Sequence, residues 1–573
     1  MIVTGSRSAT ELTFRTWDGV DLFYRAWPAR VPSDRALILF HRGHEHGGRF
    51  QEMVDALELE DVHVFAWDAR GCGRSPGDRG WAPSFSCVVR DIGWFVSHLT
   101  ARHGIDVRNA IVLGYSVGSV AVGTWVHDYA PPIRAMVLAT PAFRVKLYIP
   151  FALSFLRLRD RMGGKSFIRS YVKSRMLTHD PEQARLYDAD PLISRNIAVN
   201  ILIGLFDASR RVLEDARAIA VPTLILAAGS DWVVHVRDQR KFFERLSTPV
   251  KRMKIFEGFS HAILHEKDRH LAFAEIRQFV QERFSSPYER AVPRDPPAKP
   301  LPTLSPKRLM YGVAKLGLKT AGLLSRGIRL GWKRGFDSGE SLDYVYENSA
   351  RGSLLLGRLI DRVYLDSPGW KGIRARKSNI QELLEALIRR LALSRKPVRI
   401  LDVASGPGRY LLETLLKLPD VKIEARLRDF SVPGVEAGRE LARRMGVTNA
   451  TYETGDAFDA ETLTRLTPRP DIAIVSGLYE LFPDNALIVR SLRGLHSAIA
   501  EGGYLIYTNQ PWHPQLEFIA NVLVNREGKP WVMRCRTQAE MDELAREAGF
   551  EKEEMRIDDL GIFTVSVAKR RPA

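Results

Sequence analysis

The 573-residue sequence predicts an α/β protein of two units, each a mostly parallel sheet covered by helices. Three observations carry this. Strand-length apolar runs alternate with helical patterns through the first half, the arrangement that builds parallel sheets. The run at 111–113 leads into Gly114-Tyr115-Ser116-Val117-Gly118, so that strand, sharp turn and helix follow one another. A second strand, glycine loop and helix, at 398–410, stands beyond a proline-rich break. The length exceeds one ordinary domain and fits roughly three to four small units or two large ones.

The elements follow in order. Residues 13–24 alternate around Asp18-Gly19, a hairpin signal. The strand at 35–40 runs into His41-Arg42-Gly43-His44-Glu45-His46-Gly47-Gly48-Arg49, and the strand at 62–66 ends at Asp68-Ala69-Arg70-Gly71-Cys72-Gly73-Arg74-Ser75. A helix at 84–103 precedes the Ser116 turn, and strands are expected at 135–139, 223–228 and 252–256. Helices are expected at 238–246 and 271–284.

Composition is that of a globular chain, 45% hydrophobic and 26% charged, but the formal charge is +17. Such an excess implies an anionic partner, nucleic acid or lipid surface. Cys72, Cys87 and Cys535 are too few and too scattered for a disulfide framework or a metal site. Residues 1–14 contain no apolar core of a signal peptide, and the longest apolar run, 147–156, is broken by Pro150. It falls well short of the ~20 residues a membrane span needs. The expectation is a cytoplasmic protein, or one held peripherally at the inner face of the membrane.

Residues 10–284 resemble the monoglyceride lipase and lysophospholipase branch of the α/β-hydrolases. The marks are the segments at 41–49 and 68–75, the Ser116 turn, Gly229-Ser230-Asp231 and Phe259-Ser260-His261, five pieces in the family's order. The resemblance implies Ser116 as nucleophile, His261 as the base that takes its proton, and Asp231 as the group that holds the imidazole. The oxyanion hole would combine the Val117 N–H with that of Gly43. Arg42 departs from the family, which has glycine there. Other readings exist for neighbouring residues: a metal cluster of His41, His44 and His46, a second base at His265, and a competing carboxylate at Asp238. Each is the weaker one, because the hydrolase pattern already accounts for His41 and His46, His265 reads as packed or solvated, and Asp238 falls in a charged helix pattern expected at the surface.

Residues 143–215 occupy the position of a cap. Between 144 and 177 nine basic residues face one acid, Asp160, with Leu147, Tyr148, Ile149, Phe151, Leu153, Phe155 and Leu156 among them. Either the cap meets anionic lipid, or it packs on the core with a solvated basic face. Residues 285–306 hold seven prolines and read as a linker. Residues 307–337 form a basic amphipathic segment, expected to lie on an anionic membrane, with packing between domains or contact with nucleic acid as the lesser alternatives. Gly312, Gly317, Gly322, Gly327 and Gly331 weaken it as a free helix by ~1 kcal/mol each.

From 338 onward the chain resembles class I S-adenosylmethionine-dependent methyltransferases, a Rossmann-like fold, and more narrowly those fused to α/β-hydrolases in bacteria. The loop at 402–410 carries the resemblance: Asp402-Val403-Ala404-Ser405-Gly406-Pro407-Gly408, with Ala404 where the first glycine is usual. It implies that Asp402, Ala404, Gly406 and Gly408 contact the cofactor, the two glycines letting the backbone approach it, and that Asp429, with Glu424 as the alternative, takes the ribose hydroxyls. Asp456 and Ala457, in Gly455-Asp456-Ala457-Phe458, would meet the adenine, and Ser476 would open the transfer site. Tyr479, Asn509 and His513 are candidates for the methyl-acceptor site, His513 as a base. The expected protein is bifunctional: a serine hydrolase for lipid-type esters, joined to an enzyme that methylates a lipid or related small molecule. The alternative is an active hydrolase carrying an S-adenosylmethionine-binding regulatory or scaffold domain. The basic residues concentrate in the cap and joint, without a nucleic-acid motif, so the expected partner is an anionic membrane and not RNA.

Overall fold

The computed structural model describes residues 6–149, 151–294, 301–302, 305–395 and 397–572. The chain divides into two compact units, Met1–Pro293 and Arg294–Ala573. Most of the proline-rich stretch between them, 295–300 with 303 and 304, lies outside the described residues, as does Pro150.

The first unit contains β1 (Thr10–Arg15), β2 (Asp21–Trp27), β3 (Ala36–Phe40), β4 (His63–Trp67), β5 (Ala110–Tyr115), β6 (Ala135–Ala139), β7 (Phe167–Arg169), β8 (Asn196–Ala198), β9 (Thr223–Ala228) and β10 (Lys251–Phe256). Eight of these form one sheet in the order β1-β2-β4-β3-β5-β6-β9-β10. The β1–β2 and β2–β4 pairs are antiparallel, and every later pair is parallel. The apolar runs are continuous because both faces are buried. On β3, Ile38 and Phe40 enter one core while Leu37 and Leu39 enter the other. This is the α/β-hydrolase order, with Ser116 at the carboxyl end of central β5.

Residues between β6 and β9 form the cap, with helices Ala152–Arg161, Pro181–Ala189 and Val199–Glu214 and the small β7–β8 pair. The third cap helix packs on the helix Val117–Tyr129 that follows the nucleophile turn. A buried charge network joins them: Arg211 pairs bidentately with Asp128, and His127 bridges Asp128 (2.7 Å) and Asp215 (3.0 Å). The helix Ala152–Arg161 is different, because only Leu156 on it is buried. Phe151, Phe155, Leu158 and Met162 point outward, so the reading of a cap helix fully packed on the core does not hold there.

The second unit contains β11 (Val398–Asp402), β12 (Ile423–Asp429), β13 (Ala450–Thr454), β14 (Ile472–Val475), β15 (Tyr504–Asn509), β16 (Phe550–Ile557) and β17 (Thr564–Arg570). Their order is β13-β12-β11-β14-β15-β17-β16, parallel except for the pairs that β17 makes. The order reverses between β11 and β14, and ligands of open parallel sheets bind at such a reversal. This is the Rossmann-like methyltransferase architecture.

The basic segment at 307–337 folds with this second unit, as helices Pro306–Lys319 and Arg326–Arg334 linked by a turn at Ala321–Leu324. Ile328 and Phe336 are buried in a cluster with Tyr344, Leu365 and Trp370. The carboxylate of buried Asp361 gathers the Ser325 and Tyr344 hydroxyls and the N–H groups of Gly327 and Arg351. Two of the glycines have a packing reason. A Cβ on Gly327 would stand 2.4 Å from the Tyr364 ring, and one on Gly331 would stand 2.3 Å from the Phe336 ring. The helix propensity they cost is offset by close approach.

Candidate active sites

The turn after β5 places Ser116 at φ 53°, ψ −107°, a region that non-glycine residues occupy only under constraint. Its neighbours must be glycines. A Cβ on Gly114 would lie 2.6 Å from Ser119 Cα, and one on Gly118 would lie 2.4 Å from the Phe40 carbonyl oxygen. The loop after β10 brings His261 Nε2 to 2.8 Å from Ser116 Oγ. His261 Nδ1 lies 2.8 Å from Asp231 Oδ2, on the loop after β9. The other Asp231 oxygen accepts the N–H groups of Val233 (2.7 Å) and Val234 (2.9 Å). Burial opposes ionisation of Asp231, but the His261 ring and these two N–H groups hold its carboxyl below the ordinary value. An acid fixed by two backbone donors, a ring with one proton acceptor free and a strained hydroxyl make a charge-stabilised nucleophile.

Gly43 sits against Val117: a Cβ on it would be 3.1 Å from Val117 Cγ2. The loop that carries Gly43 thus packs against the first residue after Ser116. Arg42, the departure at this loop, is a buried strut. It donates to Glu45 (2.7 Å) and lies over the rings of Tyr187 and Tyr115. Burial works against the Glu45 charge, yet Arg42 pulls its carboxyl far below the usual range.

The residues behind the competing readings have partners of their own. His41 joins the Arg42 carbonyl (2.8 Å) to the Ala69 N–H (3.0 Å), whereas His46 binds Asp190 of the cap (2.9 Å). His44 is half-buried and pushed down to about 4 by desolvation. Among the described residues no cluster suited to a metal occurs. His265 stacks on Tyr115 and is pushed down to about 3 by burial, so it is a neutral packed ring. Asp238 is buried, not at the surface as its helix pattern implies, and its nearest cations are Lys241 (3.8 Å) and Arg144 (4.0 Å).

In the second unit β11 ends at Asp402 and the loop beyond it turns through Gly406 (φ 52°) and Gly408 (φ 73°). A Cβ on Gly408 would collide with Leu427 at 2.2 Å. Gly406 N–H donates to Asp429 Oδ2 (2.8 Å), and Ser431 N–H to Asp429 Oδ1 (2.8 Å). Asp429 is half-buried at the end of β12, Asp456 is exposed beyond β13, Ala457 is buried beside it and Ser476 is half-buried after β14. Ala404 N–H points to Asp402 Oδ1 (3.4 Å). Asp402 itself is fully buried and bonded to the Tyr410 hydroxyl. Burial raises its carboxyl to about 7. It supports the loop from beneath and does not present a carboxylate to a ligand, a correction to its expected contact with the cofactor.

Beyond the carboxyl ends of β14 and β15, where Gly477 and Gln510 line it, lies a cavity of about 150 Å3. Its walls are mainly Phe336, Tyr364, Trp370, Phe518, Trp531 and Phe563, with Arg376, Glu480, Gln510 and His513 as polar members. Of the three acceptor-site candidates only His513 lines it. Tyr479 is buried in the opposite core and bonds Ser491 (3.0 Å), while Asn509 is spent on the Arg536 carbonyl (3.0 Å). In both cases the next residue faces the cavity: Glu480, on the short 3-10 turn Tyr479–Leu481, and Gln510, directly after β15. His513 Nδ1 accepts the Gln515 N–H (3.0 Å), which leaves the ring proton on Nε2. Burial lowers the ring to about 4, so it is a donor and not a base. Glu480 pairs with buried Arg376 (3.2 Å) through Oε1. Its Oε2, with Gln510 Oε1 and Trp531 Nε1, is buried without a hydrogen-bond partner among the described residues. Arg534 and Arg536 are engaged with Glu540, Asn485 and backbone carbonyls.

Comparison with known proteins gives a match to each half of the chain. Residues 276–570 match the family described as "Putative methyltransferase", and residues 32–268 match "Serine aminopeptidase, S33". Over 582 residues, 99% of both chains, the sequence is 47% identical to "Uncharacterized protein YnbC" of Escherichia coli. A monoacylglycerol lipase of Mycolicibacterium smegmatis is 24% identical across 48% of this chain and 98% of its own length. The crystal structure of Paleococcus ferrophilus monoacylglycerol lipase is 22% identical, with a TM-score of 0.41 over 48% of this chain and 99% of that one.

Proposed function

The chain belongs to the family described as "Putative methyltransferase", with a hydrolase unit related to monoglyceride lipases ahead of it, and from that premise we propose a bifunctional enzyme. The first unit is a serine hydrolase for lipid-type carboxylic esters of the monoacylglycerol or lysophospholipid kind. The second is an S-adenosylmethionine-dependent methyltransferase acting on a lipid or related small molecule.

The observation that carries the first activity is the unbroken relay from Ser116 through His261 to Asp231. Ser116 Oγ attacks the ester carbonyl as its proton passes to His261 Nε2. Asp231 keeps the other ring proton on Nδ1 and stabilises the imidazolium. The tetrahedral oxyanion forms against the N–H groups of Val117 and Gly43. His261 then protonates the departing alcohol, and water repeats the sequence to release the acid. The outward Phe151, Phe155 and Leu158 of the cap suit an acyl chain that arrives from an apolar phase.

For the second activity the glycine loop and the half-buried Asp429 fit the cofactor, since among the described residues that carboxylate accepts from the N–H groups of Gly406 and Ser431 and keeps acceptor capacity for a diol. Ala404, Gly406, Gly408, Asp429, Asp456, Ala457 and Ser476 would line it, with Asp402 bracing the loop. When bound, S-adenosylmethionine supplies a methyl group on a sulfonium. The chain supplies an apolar cavity that excludes water and orients the acceptor. Glu480 Oε2 is the group able to take the acceptor's proton, a role His513 cannot fill in its present tautomer.

The test is mass spectrometry of lipid extracts incubated with labelled S-adenosylmethionine, comparing wild type, Ser116→Ala and Glu480→Gln. A labelled lipid lost in Glu480→Gln supports the transferase reading. Its dependence on Ser116 separates sequential chemistry from two independent activities. Cofactor binding without label on any extract would reduce the second unit to a sensor of that cofactor.

A further inference from the structure

Two helices of the second unit, Pro306–Lys319 and Leu354–Leu365, each carry a row of apolar side chains turned away from their own core. On the first, Leu309, Met310, Val313 and Leu316 are 55–74% exposed. On the second, Leu354, Leu355, Leu356, Leu359 and Val363 are 56–86% exposed. The turn Ala321–Leu324 touches both helices and adds Leu323. It is fastened to the start of the second helix by Ser353 N–H to the Leu324 carbonyl (2.8 Å). A Cβ on Gly357 would stand 2.6 Å from that same carbonyl oxygen, so the contact is close. The turn thus joins the two exposed rows, and buried Asp361 of the second helix accepts the Ser325 hydroxyl and the Gly327 N–H just beyond that turn. Exposed apolar surface of this extent marks an interaction site.

Charge selects the partner. Residues 307–336 contain eight basic residues and no acid, and Lys307, Arg308, Lys319, Arg326, Arg329, Lys333 and Arg334 are exposed. Apolar side chains ringed by cations match an anionic bilayer, whose headgroups meet the rim while the acyl region receives the centre. The same helices wall the cavity on their other side, through Leu318 of the first and Tyr364 of the second.

We propose that this face docks the second unit on an anionic membrane and that the cavity behind it is loaded from the bilayer, which makes the acceptor a membrane-resident amphiphile. The loading clause rests on the transferase reading above. The docking clause does not, and it is tested without turnover.

The experiment is flotation of the full-length protein with phosphatidylcholine vesicles, with and without phosphatidylglycerol. It compares wild type, Leu355→Glu with Leu359→Glu, Val313→Glu with Leu316→Glu, and a cap control, Phe155→Glu with Leu158→Glu. The substituted positions are exposed, and a circular-dichroism melt verifies that each variant folds. Binding is expected to need phosphatidylglycerol, to weaken in high salt, and to fall at least about tenfold in each double variant of the second unit. Three results would overturn the proposal. In one, binding is lost only in the cap control. In another, the variants bind vesicles like wild type but change from dimer to monomer in sedimentation, which assigns the face to a second copy. In the third, wild type ignores anionic vesicles while the variants melt early, which assigns the face to an intramolecular contact. If docking holds but no lipid is methylated, the fault lies with the transferase reading and not with the membrane face.

Discussion

Replacing Asp231 by Asn tests the hydrolase relay at its most sensitive point. Asp231 Oδ1 accepts two backbone N–H groups, from Val233 and Val234, at 2.7 and 2.9 Å. An asparagine must therefore leave its oxygen on that side, because turning its NH2 toward two donors would leave buried N–H groups unpaired at about 1–3 kcal/mol each. The amide nitrogen then faces His261 Nδ1, 2.8 Å from the present carboxylate oxygen. It can only donate. The ring proton moves to Nε2, the atom that faces Ser116 Oγ at 2.8 Å. A protonated Nε2 cannot take the serine proton, and the imidazolium has lost its counter-charge.

The expected loss in kcat is about four powers of ten, or ~5 kcal/mol of transition-state stabilisation. KM and the melting temperature should stay close to wild type, since the loop keeps both backbone hydrogen bonds. The assay is steady-state hydrolysis of a p-nitrophenyl butyrate ester and of a monoacylglycerol, with active-site titration to count competent enzyme. If Asp231→Asn retains activity within tenfold of wild type, the tautomer argument is wrong and another group orients His261.

Three further outcomes follow from buried charge. Arg211→Ala leaves Asp128 without its bidentate partner between cap and nucleophile helix; a loss of about 3–5 kcal/mol in urea unfolding is expected, and less than 1 kcal/mol would show that the network relaxes. Burial opposes the charge on His127, but Asp128 and Asp215 raise it to about 9. Its contribution to stability is therefore complete below its ordinary value of 6.5 and disappears as pH rises through 9, a fall in the first unit's melting temperature that His127→Gln should abolish. Asp402 has the opposite cause and the same slope: burial lifts it from 3.8 to about 7, so the folded state holds the extra proton and the second unit loses stability as pH rises across that window. Asp402→Asn should flatten this dependence, and an unchanged slope would refute it.

Both sheets were legible in the amino-acid order because parallel strands buried on two faces leave continuous apolar runs, as at 36–40 and 110–115. The serine turn was equally plain, since only glycine tolerates the contacts at positions 114 and 118. The relay partners could be picked out because Gly229-Ser230-Asp231 and Phe259-Ser260-His261 resemble the hydrolase family's segments in its order. What lay beyond local pattern was which side of a chain faces a cavity. Tyr479 and Glu480, or Asn509 and Gln510, are adjacent in sequence, and only packing decides that the second of each pair lines the apolar pocket. Asp402 was expected at the cofactor because its loop resembles that of the methyltransferases, yet Tyr410, eight residues on, folds back to bond its carboxylate.

The segment at 307–337 shows the same division most clearly. Its sequence by itself determined that it is basic, amphipathic and too rich in glycine to be a stable free helix. Only the tertiary structure decided that the glycines admit Tyr364 and Phe336, that Asp361 pins the segment to the second unit, and that a second helix extends its apolar face. Composition and local periodicity depend on neighbours in the chain, whereas burial and exposure depend on partners that the fold brings from elsewhere.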